Sequence, residues 1–428
     1  MAAGKWLATH GLRVYASDLA DTPALREAAA MLREAGVAVE LGGHDVGRIR
    51  RAAVVVVSPG VPPDALPVVA AREAGVAIVS ELDLGVRILE GSRLLVVTGT
   101  NGKTTTTALL AHVLREAGLR AVAAGNIGRP LVDLASDSPA PDWIAVEVSS
   151  FQLHDSPHLA PAVGVVTNLA PDHLDRYPSV EAYYADKRLL FQNATDDSVW
   201  VLNGDDAAVL ELAHGAPGSH RHWSLRARSD GWFDRDREAL MLGGRALLPR
   251  SEFPLLGDHN VANALAAVLA AAAVGAKPTE IAAALASFRP PPHRLEPVRT
   301  INDVLWINDS KATNVSAASV ALQAMARPFV LILGGRHKGE PYTALAPLLR
   351  DRCRTVVAYG EAAALVSEQL GGAVPVEVKT AFDDAMYRAA ELAMPGDAVL
   401  LSPACASFDQ FGNFEERGDR FRALVEGM

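Results

Sequence analysis

Short apolar runs alternate with amphipathic stretches along nearly the whole chain. Each apolar run has the length of a buried strand, and the amphipathic stretches repeat their apolar positions with helical spacing. The predicted strands are 12–17, 37–41, 54–58, 76–79, 94–98, 143–148, 163–168, 329–333, 355–359 and 398–402. Helical patterns include 24–35, 80–91 and much of 260–288. Because strands that alternate with helices build βαβ units, the pattern predicts an α/β fold with parallel sheets.

The length of the chain and one proline-rich stretch predict several domains. At 428 residues the chain is too long for a single ordinary core. The stretch 289–293 contains three consecutive prolines, which end a helix and stiffen the connection that follows. We therefore expect three α/β domains, at residues 1–91, 92–291 and 292–428.

Charge and cysteine content exclude several classes of protein. The formal net charge of −10 argues against a general binder of nucleic acid or of anionic membranes. The first residues lack the long apolar segment of an export signal, and the alanine-rich runs are too short to span a bilayer. Two cysteines, Cys353 and Cys405, are too few for a disulfide framework and suit a reducing compartment. The sequence therefore predicts a cytoplasmic protein.

The strand 94–98 runs directly into a glycine-containing loop and then into a helical pattern. The loop reads Gly-Thr-Asn-Gly-Lys-Thr at positions 99–104. Glycines let backbone N–H groups approach phosphate oxygens, and a helix N-terminus adds partial positive charge. Lys103 can reach the outer phosphates and the Thr104 hydroxyl can bind Mg²⁺. The alternative is a glycine turn with a solvated lysine, but the strand–loop–helix context favours a nucleoside triphosphate site.

Glu147 and His173 lie at the ends of predicted strands and each allows two interpretations, whereas Lys187 lies in a helical pattern. Glu147 ends a buried strand, where it either binds the magnesium of a nucleotide or is an exposed carboxylate. His173 lies among carboxylates after strand 163–168, which suits a second metal or a substrate contact, although an isolated histidine there is more often a surface residue. Lys187, beside Arg188, has the pattern of a solvated lysine.

Polar residues also concentrate around the proline-rich stretch and near the C-terminus. Residues 308–314 read Asn-Asp-Ser-Lys-Ala-Thr-Asn, which fits either a ligand site at a domain junction or a helix capped by Asp309 or Thr313. Residues 401–418 form a polar–aromatic loop after a strand, as ligand-binding loops often do, although a plain connection is possible.

Seven segments, taken in order, resemble the Mur ligases, the ATP-dependent amide-forming enzymes of peptidoglycan precursor synthesis. They are GTNGKTT at 99–105, the strand ending at Glu147, DHLDR at 172–176, Lys187, GDHN at 257–260, PHR at 292–294 and NDSKATN at 308–314. Within the family, three markers resemble the members that attach D-glutamate to UDP-N-acetylmuramoyl-L-alanine. These markers are EVSSFQL at 147–153, LGGRHKG at 333–339 and LSPACASFDQFGNFEERG at 401–418.

The resemblance implies a role for each matching residue, with Lys103, Glu147, His173 and Lys187 as the catalytic set. ATP would be bound by Gly99, Thr100, Asn101, Gly102, Lys103, Thr104, Thr105, Asn260, Arg294, Asp309 and Lys311. Two Mg²⁺ ions would be held, one by Thr104 and Glu147 and one by His173 and a carbamylated Lys187. The UDP-linked substrate would contact Asp18, Ser58, Asn126 and Ser149. D-Glutamate would contact Thr313, Lys338, Ser407 and Phe414.

The resemblance also implies an architecture of three domains. The order is an N-terminal Rossmann-like domain, a central P-loop ATPase-type parallel sheet and a C-terminal Rossmann-like domain. Family members usually begin with an apolar strand and a glycine-rich turn, whereas this chain opens in the helix that precedes Tyr15-Ala-Ser-Asp18. The first strand of the N-terminal domain is therefore expected to be missing.

Three alternatives to a D-glutamate ligase stay open at the level of sequence. They are another amide ligase of the superfamily (a different Mur ligase or a folylpolyglutamate synthetase), a nucleotide-binding protein without catalysis, and a P-loop kinase or GTPase. The second is motivated by the missing strand, and the long segment after the prolines speaks against the third. We expect a monomer, with no nucleic-acid partner and no membrane insertion.

Overall fold

The computed structural model describes residues 1–58, 61–172, 176–290 and 292–428. These residues form two compact units. The first comprises Met1–Phe253 and Ala262–Phe288, and the second comprises Pro254–Val261 and Arg289–Met428. Helices alternate with strands in both units, which confirms the α/β class. The division into domains 1–91, 92–291 and 292–428 stays a prediction.

The N-terminal part of the first unit contains four short strands. Its elements are α1 (Ala2–Thr9), β1 (Tyr15–Asp18), α2 (Pro23–Glu34), β2 (Ala38–Leu41), α3 (Val46–Arg50), β3 (Val54–Val57), α4 (Leu66–Glu73), β4 (Ala77–Ser80) and α5 (Glu81–Ile88). β1 pairs with β2 and β3 with β4, both in parallel, as two separate sheets. A Rossmann-like domain has a single sheet, so this arrangement differs from the one expected.

The rest of the first unit is built on a nine-stranded sheet. Its strands are β5 (Arg93–Thr98), β6 (Ala121–Gly125), β7 (Trp143–Glu147), β8 (Val163–Val166), β9 (Val199–Asn203), β10 (Ser219–Ser224), β11 (Gly231–Asp234), β12 (Ala239–Leu242) and β13 (Arg245–Pro249). Its helices are α6 (Lys103–Glu116), α7 (Ser150–His154), α8 (Val180–Arg188), α9 (Ala207–Leu212), α10 (Asp258–Ala273) and α11 (Pro278–Ser287), with 3₁₀ turns at Leu131–Ser136, Leu189–Phe191 and Arg250–Glu252. The order is β13-β12-β11-β10-β9-β8-β5-β7-β6. α10 continues from the second unit into the first.

The expectation of a wholly parallel central sheet is wrong at one edge. Seven strands from β11 to β6 are parallel, but β12 is antiparallel to both β11 and β13. The cause is local, because only residues 235–238 join β11 to β12, and a two-residue turn at Gly243 and Gly244, both with positive φ, joins β12 to β13. Such turns match the twist of paired strands and close hairpins.

The second unit contains a six-stranded sheet in the order β14-β15-β19-β16-β17-β18. Its elements are β14 (Glu296–Ile301), β15 (Val304–Asn308), α12 (Val315–Ala324), β16 (Phe329–Gly334), a 3₁₀ turn (Tyr342–Leu345), α13 (Ala346–Leu349), β17 (Cys353–Tyr359), α14 (Ala363–Leu370), β18 (Val376–Lys379), α15 (Phe382–Leu392), β19 (Ala398–Leu401) and α16 (Phe414–Glu426). All neighbours are parallel except β14 and β15, which form a hairpin through Asn302 and Asp303, again with positive φ.

Both faces of the six-stranded sheet are covered by helices. Along β16, Leu331 and Leu333 belong to the core on one face, whereas Val330 and Ile332 belong to the core on the other. Successive side chains of a strand point to opposite faces, and burial of both faces explains the continuous apolar run. The carboxyl ends of β15, β19, β16 and β17 therefore share one edge of this sheet.

No helix within the described ranges has the length and apolar character that crossing a membrane requires.

Candidate active site

The glycine loop follows β5, an interior strand of the nine-stranded sheet. β5 lies between β8 and β7, and its residues Leu95, Val96 and Val97 are fully buried. The chain leaves β5 towards β6 on one side and later returns to β8 on the other side. In open α/β sheets, ligands bind at the carboxyl edge where the chain reverses direction in this way. The predicted strand, loop and helix are confirmed, with α6 beginning at Lys103.

Two glycines of the loop are required by their backbone conformation and surroundings. Gly99 has φ of 140° and Gly102 has φ of 82°, both in the region that favours glycine. A Cβ atom at Gly99 would overlap the hydroxyl of Thr167, and one at Gly102 would overlap the side-chain oxygen of Asn263. The loop therefore presents backbone rather than side chains at the start of α6, as a phosphate site requires.

The end of β8 holds the loop in place through residues that the sequence did not single out. The amide of Thr100 donates to the backbone oxygen of Asn168 (2.8 Å) and that of Asn101 to its Oδ1 (2.9 Å). The hydroxyl of Thr167 donates to the carbonyl of Asn101 (2.6 Å). Thr167 and Asn168 lie directly after the buried strand β8 and before the DHLDR segment. Their position at the end of a strand is the sequence feature that could have identified them.

Two lysines meet at one carbonyl of the loop. Lys103 Nζ donates to the oxygens of Gly99 (3.0 Å) and Thr100 (2.8 Å), and Lys187 Nζ, from α8, donates to the same Gly99 oxygen (2.8 Å). The solvated-lysine interpretation of Lys187 is wrong, because only 1% of the residue is exposed. Two lysine side chains at one acceptor mark this loop as a place where negative charge is stabilised.

Burial, and to a smaller extent the nearby positive charge of Lys103, lowers the pKa of Lys187 to about 7, although Asp172 and Asp186 act in the opposite direction. The ring of Tyr183 covers the ammonium group at 4.7 Å from its centroid. Near neutral pH the Lys187 amine is therefore uncharged in a large fraction of the molecules, and an uncharged amine is nucleophilic.

Glu147, the last residue of β7, carries a buried oxygen that lacks a partner. The residue is 2% exposed, and its Oε1 accepts from Asn126 Nδ2 (3.0 Å). No described residue donates to its Oε2. The exposed-carboxylate interpretation is therefore wrong. A buried carboxylate oxygen without a partner costs free energy unless a ligand satisfies it, and Mg²⁺ prefers such oxygens. Asn126 is thus placed against Glu147.

Three of the four predicted metal ligands, Thr104, Glu147 and Lys187, lie within the described residues. Thr104 and Thr105 lie in the first turn of α6, and Glu147 ends β7. His173 lies outside the described residues. Within the described ranges there is no group of three or more His, Cys, Asp or Glu side chains placed around a metal position. A nucleotide-bound Mg²⁺ needs no such cage, since it keeps several waters and takes one or two protein ligands.

The residues predicted for the UDP-linked substrate are dispersed along the first unit. Asp18 ends β1 and its Oδ1 accepts from the amide of Ala20 (2.9 Å), and Ser58 is an exposed residue directly after β3. Ser149 is the N-cap of α7, where its hydroxyl accepts from the amide of Gln152 (3.2 Å). The Ser149 side chain therefore has a structural role of its own.

The second unit brings together two residues predicted for D-glutamate. Lys338 Nζ donates to the hydroxyl of Thr313 at 3.3 Å, although the two lie 25 positions apart. A pair of backbone hydrogen bonds between Arg336 and Ala406 (2.8 and 3.0 Å) joins the Lys338 loop to the loop that carries Ser407. Thr313, Lys338 and Ser407 therefore lie on connected loops at the carboxyl edge of the six-stranded sheet.

Asp309 is a buried acid of the second unit with a strongly perturbed pKa. Burial raises its pKa to about 7, while hydrogen bonds from Ser402 and the amide of Leu295, together with the charges of Arg294 and Arg417, oppose the rise. It follows β15 directly. A buried acid with a pKa near neutrality is typical of a functional site.

Three further predicted residues of the second unit, Lys311, Phe414 and Asn260, make local contacts. Lys311 Nζ lies over the ring of Phe414, 3.8 Å from its centroid. Asn260, in the first turn of α10, is 6% exposed and donates from Nδ2 to the oxygen of Leu256 (2.8 Å). Lys311 and Phe414 are thus brought together.

Comparison with known proteins gives consistent matches. A family model described as "Mur ligase middle domain" matches residues 97–271, and one described as "Mur ligase, glutamate ligase domain" matches residues 293–405. The UDP-N-acetylmuramoylalanine–D-glutamate ligase of Acidobacterium capsulatum is 42% identical over 432 residues, which is 99% of this chain and 93% of that protein. The protein of the same name from Gloeobacter violaceus is 43% identical, over 100% of this chain and 96% of its own length.

Solved structures share the fold at low sequence identity. The UDP-N-acetylmuramate–alanine ligase of Thermotoga maritima is 20% identical with a TM-score of 0.62, over 100% of this chain and 96% of that one. A pseudomurein peptide ligase type C from Methanothermus fervidus is 19% identical with a TM-score of 0.59, over the same shares. At this level of identity the likeness concerns the fold alone.

Proposed function

The chain belongs to the Mur ligase family, and we propose that it uses ATP to join the L-alanyl carboxylate of UDP-N-acetylmuramoyl-L-alanine to the amine of D-glutamate. The observation that carries the proposal is its end-to-end similarity to D-glutamate ligases from several bacteria. A phosphate loop in the first unit and the Thr313–Lys338 pair in the second support it. No observation favours a different amide ligase, a non-catalytic protein or a kinase.

The proposed ATP site is centred on the loop 99–105. Backbone amides and Lys103 bind the outer phosphates, while Asn260, Arg294, Asp309 and Lys311 contact the rest of the nucleotide. The partnerless oxygen of Glu147 supports a Mg²⁺ ion shared with Thr104. When bound, this ion neutralises charge on the phosphate oxygens.

The proposed second Mg²⁺ is held by His173 and a carbamylated Lys187. A neutral amine attacks the carbon of CO₂, forms an N–C bond and releases one proton, which leaves an anionic carbamate. The burial and low pKa of Lys187 support this reaction, since the amine needs no large input of free energy to lose its proton. The carbamate supplies oxygen ligands, which Mg²⁺ prefers.

Substrates are proposed to bind on both units. Asp18 and Ser58 contact the uridine end of the UDP-linked substrate, while Asn126 and Ser149 contact its phosphates or sugar. Thr313, Lys338, Ser407 and Phe414 receive D-glutamate, whose two carboxylates call for a cation and several donors. Lys338 is the cation of this set.

A carboxylate is a poor acylating agent, and the proposed reaction first activates it with ATP. The L-alanyl carboxylate attacks the γ-phosphorus of ATP, ADP leaves, and an acyl phosphate forms. The D-glutamate amine attacks the acyl carbon, and the tetrahedral intermediate expels inorganic phosphate. Lys103 offsets the repulsion between the carboxylate and the triphosphate. We propose that a monomer with domains 1–91, 92–291 and 292–428 does this in the cytoplasm, where two free buried cysteines stay reduced.

An amide-formation assay tests the proposal. The chain is incubated with ATP, Mg²⁺ and UDP-N-acetylmuramoyl-L-alanine, and ADP release is measured with D-glutamate, L-glutamate or another amino acid. We expect release with D-glutamate only, and loss of it in Lys103→Met but not in the matched surface variant Lys277→Met. Release that depends on another amino acid would identify a different ligase of the superfamily.

A further inference from the structure

Arg417, in the first turn of α16, is a fully buried cation in the second unit. Its Nε donates to Ser310 Oγ (2.8 Å) and its Nη2 to the backbone oxygen of Ser310 (2.8 Å). Its Nη1 donates to the backbone oxygen of Cys405 (3.2 Å) and to the hydroxyl of Tyr359 (3.4 Å). One guanidinium group therefore joins the loops that follow β15 and β19 to the end of β17.

Burial of the Arg417 cation would be unfavourable in free energy if its only role were to stabilise the fold. Burial of an ion costs several kcal/mol after relaxation, and replacement of buried ions by apolar residues is often neutral or stabilising. The first turn of a helix is also the positive end of its dipole, which disfavours a cation. None of the acceptors among the described residues is a carboxylate, although the charge of Arg417 also acts on the buried carboxylate of Asp309.

The two loops that Arg417 joins carry residues assigned above to D-glutamate. Thr313 lies three positions after Ser310, and Ser407 lies two positions after Cys405. Ser310 also donates from its hydroxyl to the backbone oxygen of Phe414 (2.8 Å), so the same contact fixes the start of α16. Ser310 and Cys405, which Arg417 contacts, thus lie beside or contact three of the four residues assigned to D-glutamate.

We propose that Arg417 is a positioning residue that sets the affinity of the second unit for D-glutamate by locking these loops together, an inference that rests on the proposed function. The guanidinium is suited to this role because its donors lie in a rigid plane and reach several acceptors at once. A lysine ammonium at this position keeps the charge but cannot bridge both loops in the same way.

The test compares Michaelis constants of Arg417→Lys and Arg417→Met with those of Arg354→Met. Arg354 pairs with Asp397 (2.5 and 2.9 Å) at the opposite edge of the same sheet, so its loss perturbs the second unit away from the site. We expect both Arg417 variants to raise the KM for D-glutamate at least about tenfold, since misplacement by about 1 Å can cost a hundredfold. The KM for the UDP-linked substrate should stay within about twofold, and Arg354→Met should change neither constant.

A folded Arg417 variant with a wild-type KM for D-glutamate overturns the inference, as does an equal rise in Arg354→Met or in the KM of both substrates. If Arg417→Met does not fold, the Michaelis constants of Arg417→Lys alone test the inference. If the wild type uses a different amino acid, the proposed function fails, and the same comparison with that amino acid still tests Arg417.

Discussion

Replacement of Lys187 by methionine is predicted to stabilise the protein at low pH and to remove its ligase activity. The side chain is 1% exposed, and burial lowers its pKa from the ordinary 10.5 to about 7. The unfolded chain therefore binds this proton more tightly than the folded chain. The resulting cost to the folded state is complete below pH 7 and disappears as the pH rises towards 10.5.

These two pKa values give the size of the effect. The protonated lysine costs the folded state about 5 kcal/mol at pH 6 and about 3 kcal/mol at pH 8.5. Methionine removes this cost but loses the hydrogen bond of the amine to the Gly99 oxygen, worth about 1 kcal/mol for an uncharged donor. The net gain is therefore about 4 kcal/mol at pH 6 and about 2 kcal/mol at pH 8.5.

Urea unfolding in metal-free, CO₂-depleted buffer at both pH values measures this gain, and an ADP-release assay with saturating substrates measures activity. Lys277→Met, at the exposed N-cap position before α11, is the matched control and should have the same small effect at both pH values. A Lys187→Met variant that is destabilised at pH 6, or whose gain does not change with pH, refutes the account of a buried ammonium. Wild-type turnover in this variant refutes the role as a metal ligand.

Three other predictions concern single side chains. Glu147→Gln keeps the shape of the side chain but weakens its hold on a cation, so half-maximal activity should require about tenfold more Mg²⁺; an unchanged Mg²⁺ titration would remove Glu147 from the metal site. Lys338→Ala should raise the KM for D-glutamate about tenfold, and by more than the KM for ATP; the opposite ranking would exclude Lys338 from the amino-acid site. Burial raises the pKa of Cys353 to about 12 and that of Cys405 to about 11, so Ellman's reagent should label neither thiol until urea unfolds the chain; rapid labelling of the native protein would contradict this.

The sequence was sufficient to predict the secondary structure wherever neighbouring residues alone determine it. The apolar run 94–98, the glycines and the helical pattern after Lys103 predicted β5, the loop and α6, because each depends on neighbouring residues. The hairpins were missed although their signals were present. Gly243-Gly244 and Asn302-Asp303 are two-residue turns between apolar runs, a pattern that closes antiparallel pairs.

Burial produced by distant residues could not be predicted in the same way. Lys187 and Arg417 both have charged neighbours in sequence, which is typical of solvated faces, yet both are buried. The acceptor of Lys187 lies 88 positions away, and one acceptor of Arg417 lies 107 positions away. The partnerless oxygen of Glu147 likewise depends on how β7 and β6 pair. The end of a predicted strand singled out Glu147 and the family resemblance singled out Lys187, but neither assigned a role to Arg417.

Transfer of isotopic oxygen tests the central claim, activation of the carboxylate as an acyl phosphate, most directly. UDP-N-acetylmuramoyl-L-alanine labelled with ¹⁸O in its carboxylate is turned over with ATP and D-glutamate, and the released phosphate is examined by mass spectrometry. The account predicts one ¹⁸O atom in each phosphate, because the oxygen that attacks the γ-phosphorus leaves with it. Phosphate free of label, formed together with the amide, would contradict it.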